Sequence, residues 1–174
     1  IEVRPLQRQD IPAIADTVIT CFHDRSHWWS CLWNPLLSMG VREDLHSQLR
    51  SHRTDRTCLV AAAKNITTGS EHIAGTVEIS LRRDWVRSPS ISTYISNLAV
   101  RADYRRQGVG RRLLLASERV ARDWATSCLS LHVMEDNPVA RKLYEVHGYR
   151  LQRTEMDWSN LWGAPRRLFL SKYL

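Results

Sequence analysis

Arg105-Arg106-Gln107-Gly108-Val109-Gly110 is the part of this sequence with the clearest chemistry. It stands between an apolar run that reads as a strand, Ile91 to Val100, and an amphipathic stretch that reads as a helix to about Thr126. A helix N-terminus has unpaired N–H groups and the positive end of the helix dipole, and glycines let an anion approach that backbone closely. Arg105, Arg106, Arg111 and Arg112 add charge at the same point. The chemistry offered is binding of a phosphate or pyrophosphate. As a bare pattern RxxGxG is weak, and its glycines could instead serve a tight turn only. The segment lacks the Lys and Ser/Thr of a P-loop, and no acidic residue follows about 20 residues on, as a dinucleotide fold would require.

A second group of reactive side chains lies around it. His132 falls on an apolar run, Leu129 to Met134, and Tyr94 and Glu78 fall on the two strand-like runs before the arginine segment. Asn137 precedes Pro138, a helix start, and Gly148 stands where that helix should stop. Tyr144, seven residues after Asn137, returns to nearly the same helix face. Cys21, His23, His27 and Cys31 could in principle ligate zinc, but their spacing fits no familiar zinc pattern. The neighbouring Trp28, Trp29, Trp33 and Pro35 read better as a wall facing a substrate, or as core and lid packing. No metal is expected.

These residues need a scaffold, and the composition allows one. A chain of 174 residues buries roughly 70% of its unfolded surface without disulfides or a structural metal. At 43% hydrophobic residues it is not a disordered chain. The longest stretch without Asp, Glu, Lys or Arg, Ser26 to Val41, is too short and too broken to span a membrane. Four widely spaced cysteines favour free thiols in a reducing compartment, and with no positively charged then apolar run before the first strand-like run, any targeting segment is expected to be already removed or never present. Along the chain the pattern reads as a strand, IEVRPL, then a helix capped by Asp10 with Pro12 in its first turn. An aromatic irregular segment and an amphipathic helix from Val41 to about His52 come next. A hairpin of Thr57 to Lys64 and Ile73 to Arg82 precedes the strand and phosphate loop described above, and two strands, Tyr149 to Met156 and Arg166 to Tyr173, end the chain around Trp158 and Trp162. The expected fold is α/β, one domain over residues 1–174, with a mixed central sheet of about seven strands and about four helices.

With these elements in order, the segment ISNLAVRADYRRQGVGRRLLL resembles the cofactor loop of the GNAT superfamily of acetyl-CoA-dependent N-acetyltransferases. LSLHVMEDNPVARKLYEVHGYRL is similar to that family's second cofactor motif. The two motifs cover about Tyr94 to Leu151, and the element order matches over nearly the whole chain. The resemblance implies that the backbone of Leu98, Ala99 and Val100 runs along the pantetheine arm of acetyl-CoA. It implies that Arg105, Arg106, Gln107, Gly108, Val109, Gly110 and Arg111 surround the pyrophosphate, and that Asn137 touches the pantetheine as well as capping its helix. Tyr144 becomes the group that hydrogen-bonds and protonates the departing thiolate: a phenol near pKa 10 stays protonated at neutral pH, while a thiol has a pKa near 8.5.

The attacking amine must lose its charge. An α-amino group has a pKa of about 8 and a lysine about 10.4, so lysine needs more help from a base or from desolvation. The resemblance implies His132 as that base, paired with Tyr94 on the neighbouring strand and working through an ordered water, with Glu78 as the alternative.

The loop WNPLLSMGVREDL and the motif segments are similar to cyanobacterial and plastid members credited with acetylating both protein N-termini and lysines. Protein or peptide amines are therefore the expected acceptors, with a small amine such as a polyamine, an arylalkylamine or an antibiotic as the alternative. A non-catalytic module binding CoA or nucleic acid is the competing class. The basic balance leaves nucleic acid, an anionic membrane surface or a phosphorylated small molecule open, and its position favours the last: between Arg101 and Arg122, seven arginines against Asp103 and Glu118 leave +5 of the chain's net +7. That surplus is accounted for by a triply phosphorylated cofactor. The resemblance implies a monomer or homodimer in a bacterial cytoplasm, such as a cyanobacterial one, or in the plastid stroma.

Overall fold

The computed structural model describes residues 1–14, 17, 55–64, 71–84, 90–156 and 165–174. The alternating runs become strands β1 (Glu2–Pro5), β2 (Arg56–Lys64), β3 (Glu71–Asp84), β4 (Ser90–Val100), β5 (Cys128–Met134), β6 (Arg150–Glu155) and β7 (Arg167–Tyr173). The two periodic stretches beside them become helices α1 (Val109–Asp123) and α2 (Pro138–Val146). The seven strands form one sheet in the order β1-β2-β3-β4-β5-β7-β6. It is mixed, with β4 and β5 parallel and β7 antiparallel to both β5 and β6. Residues 11–14 are helical as expected. The expected helix at 41–52, both tryptophan-bearing loops and the Cys21, His23, His27, Cys31 group lie outside the described residues.

Contacts gather the chain into two compact units, Ile1–Ile79 with Asn97–Ser117, and Ser80–Ser96 with Glu118–Leu174. The first has a core of Leu6, Ile11, Ile14, Cys58, Val60, Ala62, Ile73 and Ala99. There β1 pairs with β2, Glu2 opposite Ala62 and Pro5 opposite Leu59. Asp10 does not cap the helix after it. It ends a 3-10 turn (Arg8–Asp10), accepts the Gln7 N–H at 2.8 Å and takes both Arg4 guanidinium nitrogens at 2.7 and 3.0 Å, so the cap sits at Gln7. Gly75 on β3 is a close-approach position. A Cβ there would stand 2.7 Å from the Ala99 carbonyl oxygen and within 3.3 Å of Val109 and Leu113, so a side chain would push α1 off the sheet.

In the second unit the β5 and β7 registers run opposite one another from Cys128↔Tyr173 to Met134↔Arg167, so β5 is paired along its length on that side, while β4 pairs with it at Leu129, Ser130 and Leu131. Leu129, Leu131, Val133, Leu168 and Leu170 supply buried apolar positions by strict alternation. A bulge then interrupts β6: Leu151 faces Leu170 but Arg153 faces Phe169, leaving Gln152 as the extra residue. Both helices end in the same device. Thr126 N–H bonds to Ala121 O and Ala125 N–H to Arg122 O, with Ala125 at φ 53. Tyr149 N–H bonds to Tyr144 O and Gly148 N–H to Glu145 O, with Gly148 at φ 86. Each is a Schellman stop, and only the second uses the glycine that costs nothing in that conformation.

Candidate active site

The phosphate loop lies in the first unit. Arg101 and the 3-10 turn Ala102–Tyr104 lead into it, and α1 begins at Val109 with no acidic side chain in its first turn. Two of its residues take left-handed backbone, Arg106 at φ 64 and Gly108 at φ 76. That succession turns peptide N–H groups toward one concave side, the arrangement that receives anions. A Cβ on Gly108 would meet nothing within 4 Å, so the loop presents open space there. Several side chains brace the loop from behind. Gln107 Nε2 donates to Asp103 O at 2.9 Å, Arg105 Nε donates to Val100 O at 3.3 Å, and Arg101 holds the Asp103 carboxylate at 2.7 and 3.1 Å. The Arg101 pairing keeps the Asp103 carboxyl below its ordinary range, so its charge is already answered. Arg105, Arg106, Gln107, Arg111 and Arg112 are exposed. These residues fit a pyrophosphate: a helix N-terminus entered through left-handed backbone, an approachable glycine, and cations at the rim.

Upstream of the loop, β4 changes character. Its register with β5 runs Thr93↔Leu129, Tyr94↔Ser130, Ile95↔Leu131, and two residues later Asn97 takes φ 51. The residues expected along the pantetheine arm, Leu98, Ala99 and Val100, follow this turn of the backbone. Asn97 also donates from Nδ2 to Glu78 Oε2 at 2.8 Å. The other Glu78 oxygen lies 2.5 Å from Arg56 Nε. Glu78, the alternative base, is thus a buried carboxylate with both oxygens engaged in holding β2, β3 and β4.

The second unit brings Tyr94 and His132 together, with the Tyr94 hydroxyl 2.7 Å from His132 Nδ1. The other ring nitrogen, Nε2, lies 2.9 Å from Glu155 Oε2, close but off the line of a linear hydrogen bond. Glu155 is the residue that sequence reasoning missed. Its second oxygen, Oε1, accepts from Arg153 Nε at 2.9 Å and lies 2.8 Å from Arg153 Nη2. Phe169 packs against the His132 ring with centroids 4.9 Å apart, and the Arg82 guanidinium covers the Tyr94 ring at 3.4 Å. Burial pulls the His132 imidazole below its usual pKa, and the Glu155 carboxylate opposes that pull only in part. The ring is therefore neutral at pH 7 and open to accept a proton. Burial pushes the Glu155 carboxyl up, but Arg153 and His132 together hold it below the ordinary value, so it is charged.

Tyr144 lies on the inner face of α2. Asn137 starts that helix by accepting the Ala140 N–H at Oδ1, 3.0 Å away, with Pro138 at the first position. The Tyr144 ring packs on Tyr149, centroids 5.8 Å apart, and its hydroxyl makes no hydrogen bond among the described residues. Burial, with a smaller contribution from nearby Tyr94, pushes its pKa up to about 12. It is a protonated donor throughout the physiological range.

A strand, an anion loop opening a helix, a capped helix carrying a buried tyrosine and a Tyr–His pair on adjacent parallel strands are joined by one decisive finding: the model described as the acetyltransferase (GNAT) family matches residues 22–149. The chain belongs to the GNAT acetyltransferase family. It is an acetyl-CoA-dependent N-acetyltransferase. Among GNAT relatives, GCN5-related N-acetyltransferase 10, chloroplastic, of Arabidopsis thaliana is 30% identical over 183 residues, covering 98% of this chain and 72% of the relative. In fold it is similar to the ribosomal-protein-alanine N-acetyltransferase of Brucella melitensis, with a TM-score of 0.73 at 20% identity over 100% of both chains. Arabidopsis thaliana NAA60 in complex with acetyl-CoA gives 0.71 at 15% identity, covering 99% of this chain and 98% of that one. These two share the GNAT fold.

Proposed function

We propose that this acetyltransferase acts on protein and peptide amines, N-terminal α-amines before lysines, with residues 1–174 working as one domain. The observation that carries the reading is the Tyr94 hydroxyl on Nδ1 of His132, a ring whose burial favours its neutral form. An imidazole below its ordinary pKa can take a proton from an α-ammonium of pKa about 8, whereas a lysine at about 10.4 lies roughly two units further out of reach. The ribosomal-protein-alanine acetyltransferase, whose fold the chain shares, acts on a protein acceptor by its name, which supports the same class. The chloroplastic name of the Arabidopsis relative supports the plastid stroma over a bacterial cytoplasm as the compartment.

In this reading the N–H groups of Gly108, Val109, Gly110 and Arg111, with Arg105, Arg106 and Gln107 around them, hold the pyrophosphate of acetyl-CoA. Leu98, Ala99, Val100 and Asn137 line its pantetheine. Acetyl-CoA supplies the acyl carbonyl and the thiol leaving group. His132 with Tyr94 takes the amine proton, and Tyr144 gives its hydroxyl proton to the departing sulfur, whose own pKa near 8.5 lies well below that of the phenol. Glu78 is held as a structural carboxylate by Arg56 and Asn97.

Mass spectrometry of acetylated peptides from cells overproducing the protein separates α from ε sites. New α-acetylated N-termini in excess of ε sites support the reading. No new site of either kind, together with turnover of a free small amine, overturns it in favour of a small-molecule acceptor.

A further inference from the structure

His132 has two neighbours and, while neutral, one proton to place between them. Glu155 is a carboxylate and can only accept, so the Nε2 contact at 2.9 Å calls for the proton on Nε2. Nδ1 is then a bare acceptor, and the Tyr94 hydroxyl at 2.7 Å is its donor. The opposite tautomer would set an Nε2 lone pair against a carboxylate. This assignment rests on the base reading given above for His132. From the geometry we propose that Glu155 is a positioning residue which holds the Nε2 proton of His132, leaves Nδ1 as the acceptor, and so makes Tyr94 the head of a Tyr94–His132–Glu155 relay.

The fold builds this relation with one residue. His132 stands opposite Phe169, and Phe169 opposite Arg153, so the three share a face of the sheet. Glu155, two residues beyond Arg153 and opposite Arg167, shares it too. Were Gln152 paired with Phe169 in regular register instead of bulged, Thr154 would stand opposite Arg167 and Glu155 would point to the other face. The carboxylate is also divided between its partners: Arg153 occupies Oε1 and His132 lies at Oε2.

Proton transfer through the relay balances. The ammonium gives one proton to the Tyr94 oxygen as the Tyr94 hydroxyl proton passes to His132 Nδ1. The products are a neutral amine, an unchanged phenol and an imidazolium whose Nε2–H stays beside Glu155 Oε2, and solvent later takes the Nδ1 proton. The charged and titratable groups around His132 are Tyr94 from β4 with Arg82 over it, Glu155 and Arg153 from β6, and Arg167 from β7, while Phe169 offers an apolar face. Glu155 favours the imidazolium, and Arg153 and Arg167 disfavour it.

Opposite substitutions should therefore move activity in opposite directions. The acid limb of kcat/KM, measured with a peptide amine and acetyl-CoA, should move down by about 0.5 to 1 pH unit in Glu155→Gln and up in Arg153→Gln. In Glu155→Ala, where the tautomer is no longer held, the plateau kcat should fall about tenfold. Imidazole 15N shifts of the wild-type protein report the tautomer directly and without turnover. Nε2–H with a bare Nδ1 is expected; a wild-type ring protonated at Nδ1 would overturn the proposal. If His132→Ala abolishes the acid limb while Glu155→Gln leaves it in place, the base stands and the Glu155 assignment falls. If His132→Ala retains the limb, the base reading itself falls.

Discussion

Tyr94 on β4 and His132 on β5 meet, hydroxyl to Nδ1, at 2.7 Å. Parallel pairing makes this possible: Tyr94 stands opposite Ser130, and His132, two residues on, lies on the same face within reach of a long phenol. A pH dependence follows. Burial holds His132 below the ordinary imidazole value, and the base must be neutral to act. Activity should therefore rise through a pH below about 6.5 and already be flat at pH 7.5. A kcat/KM profile with a peptide substrate checks this. A midpoint above 6.5 would contradict it, and His132→Ala should remove the limb.

The Tyr144 side chain is buried, keeps its hydroxyl proton up to about pH 12 and makes no hydrogen bond among the described residues. The fold therefore does not rely on that hydroxyl as a bonding partner. Tyr144→Phe should lower kcat by about 10- to 100-fold and leave the KM for acetyl-CoA within about threefold, while the protein melts no lower than the parent. Initial rates and a thermal melt on the same sample decide it; an unchanged kcat would remove Tyr144 from the chemistry.

Two glycines separate binding from folding. Gly108 has φ 76 with open space at its Cβ position, whereas Gly75 would drive a Cβ to 2.7 Å from Ala99 O. Gly108→Ala puts about 1 kcal/mol of left-handed strain into the loop, which the free loop relieves by leaving the anion-binding conformation, so acetyl-CoA should bind roughly 5-fold more weakly while Tm falls by no more than about 2 to 4 °C. Gly75→Ala forces backbone apart and should cost about 2 kcal/mol of stability. Calorimetric titration with CoA beside thermal unfolding distinguishes the two.

The stop of α1 carries a correctable strain. Ala125 occupies the left-handed position of a Schellman motif at φ 53. Ala125→Gly removes the Cβ conflict at some entropic cost and should stabilise the protein by about 0.5 kcal/mol, a rise of about 1 to 2 °C in Tm. It should leave kcat/KM unchanged; a lowered Tm would show that the helix end is not under strain.

Much of this protein is legible without coordinates, because its signals are local. The alternation Val77, Ile79 predicts a strand whichever partner it finds, and both residues are fully buried. Asn137-Pro138 and Gly148 mark the start and stop of α2 through bonds made within a few residues, and the structure forms those bonds. The arginine and glycine spacing of residues 105–110 is a property of one loop and one helix end, and the loop has the left-handed residues that an anion cradle uses. Asp10 shows the margin of such reading: the cap exists, but three residues earlier, since Arg4 supplies a stronger partner for the carboxylate than the helix N–H groups.

What only the tertiary structure decided is which side chains answer one another across the sheet. In one dimension Glu78 is the alternative to His132 as base; in three, its oxygens face Arg56 and Asn97, and Asn97 comes from a strand that no local pattern joined to it. Glu155 had no signal at all. Its position on the His132 face depends on the bulge at Gln152, and a strand's side-chain period of two means that one inserted residue exchanges the faces. Residue types and spacing determined what chemistry this chain could hold, because caps, turns and anion loops are closed by neighbours in sequence. The sheet register, a sum over contacts distant in sequence, decided which carboxylate stands behind the histidine.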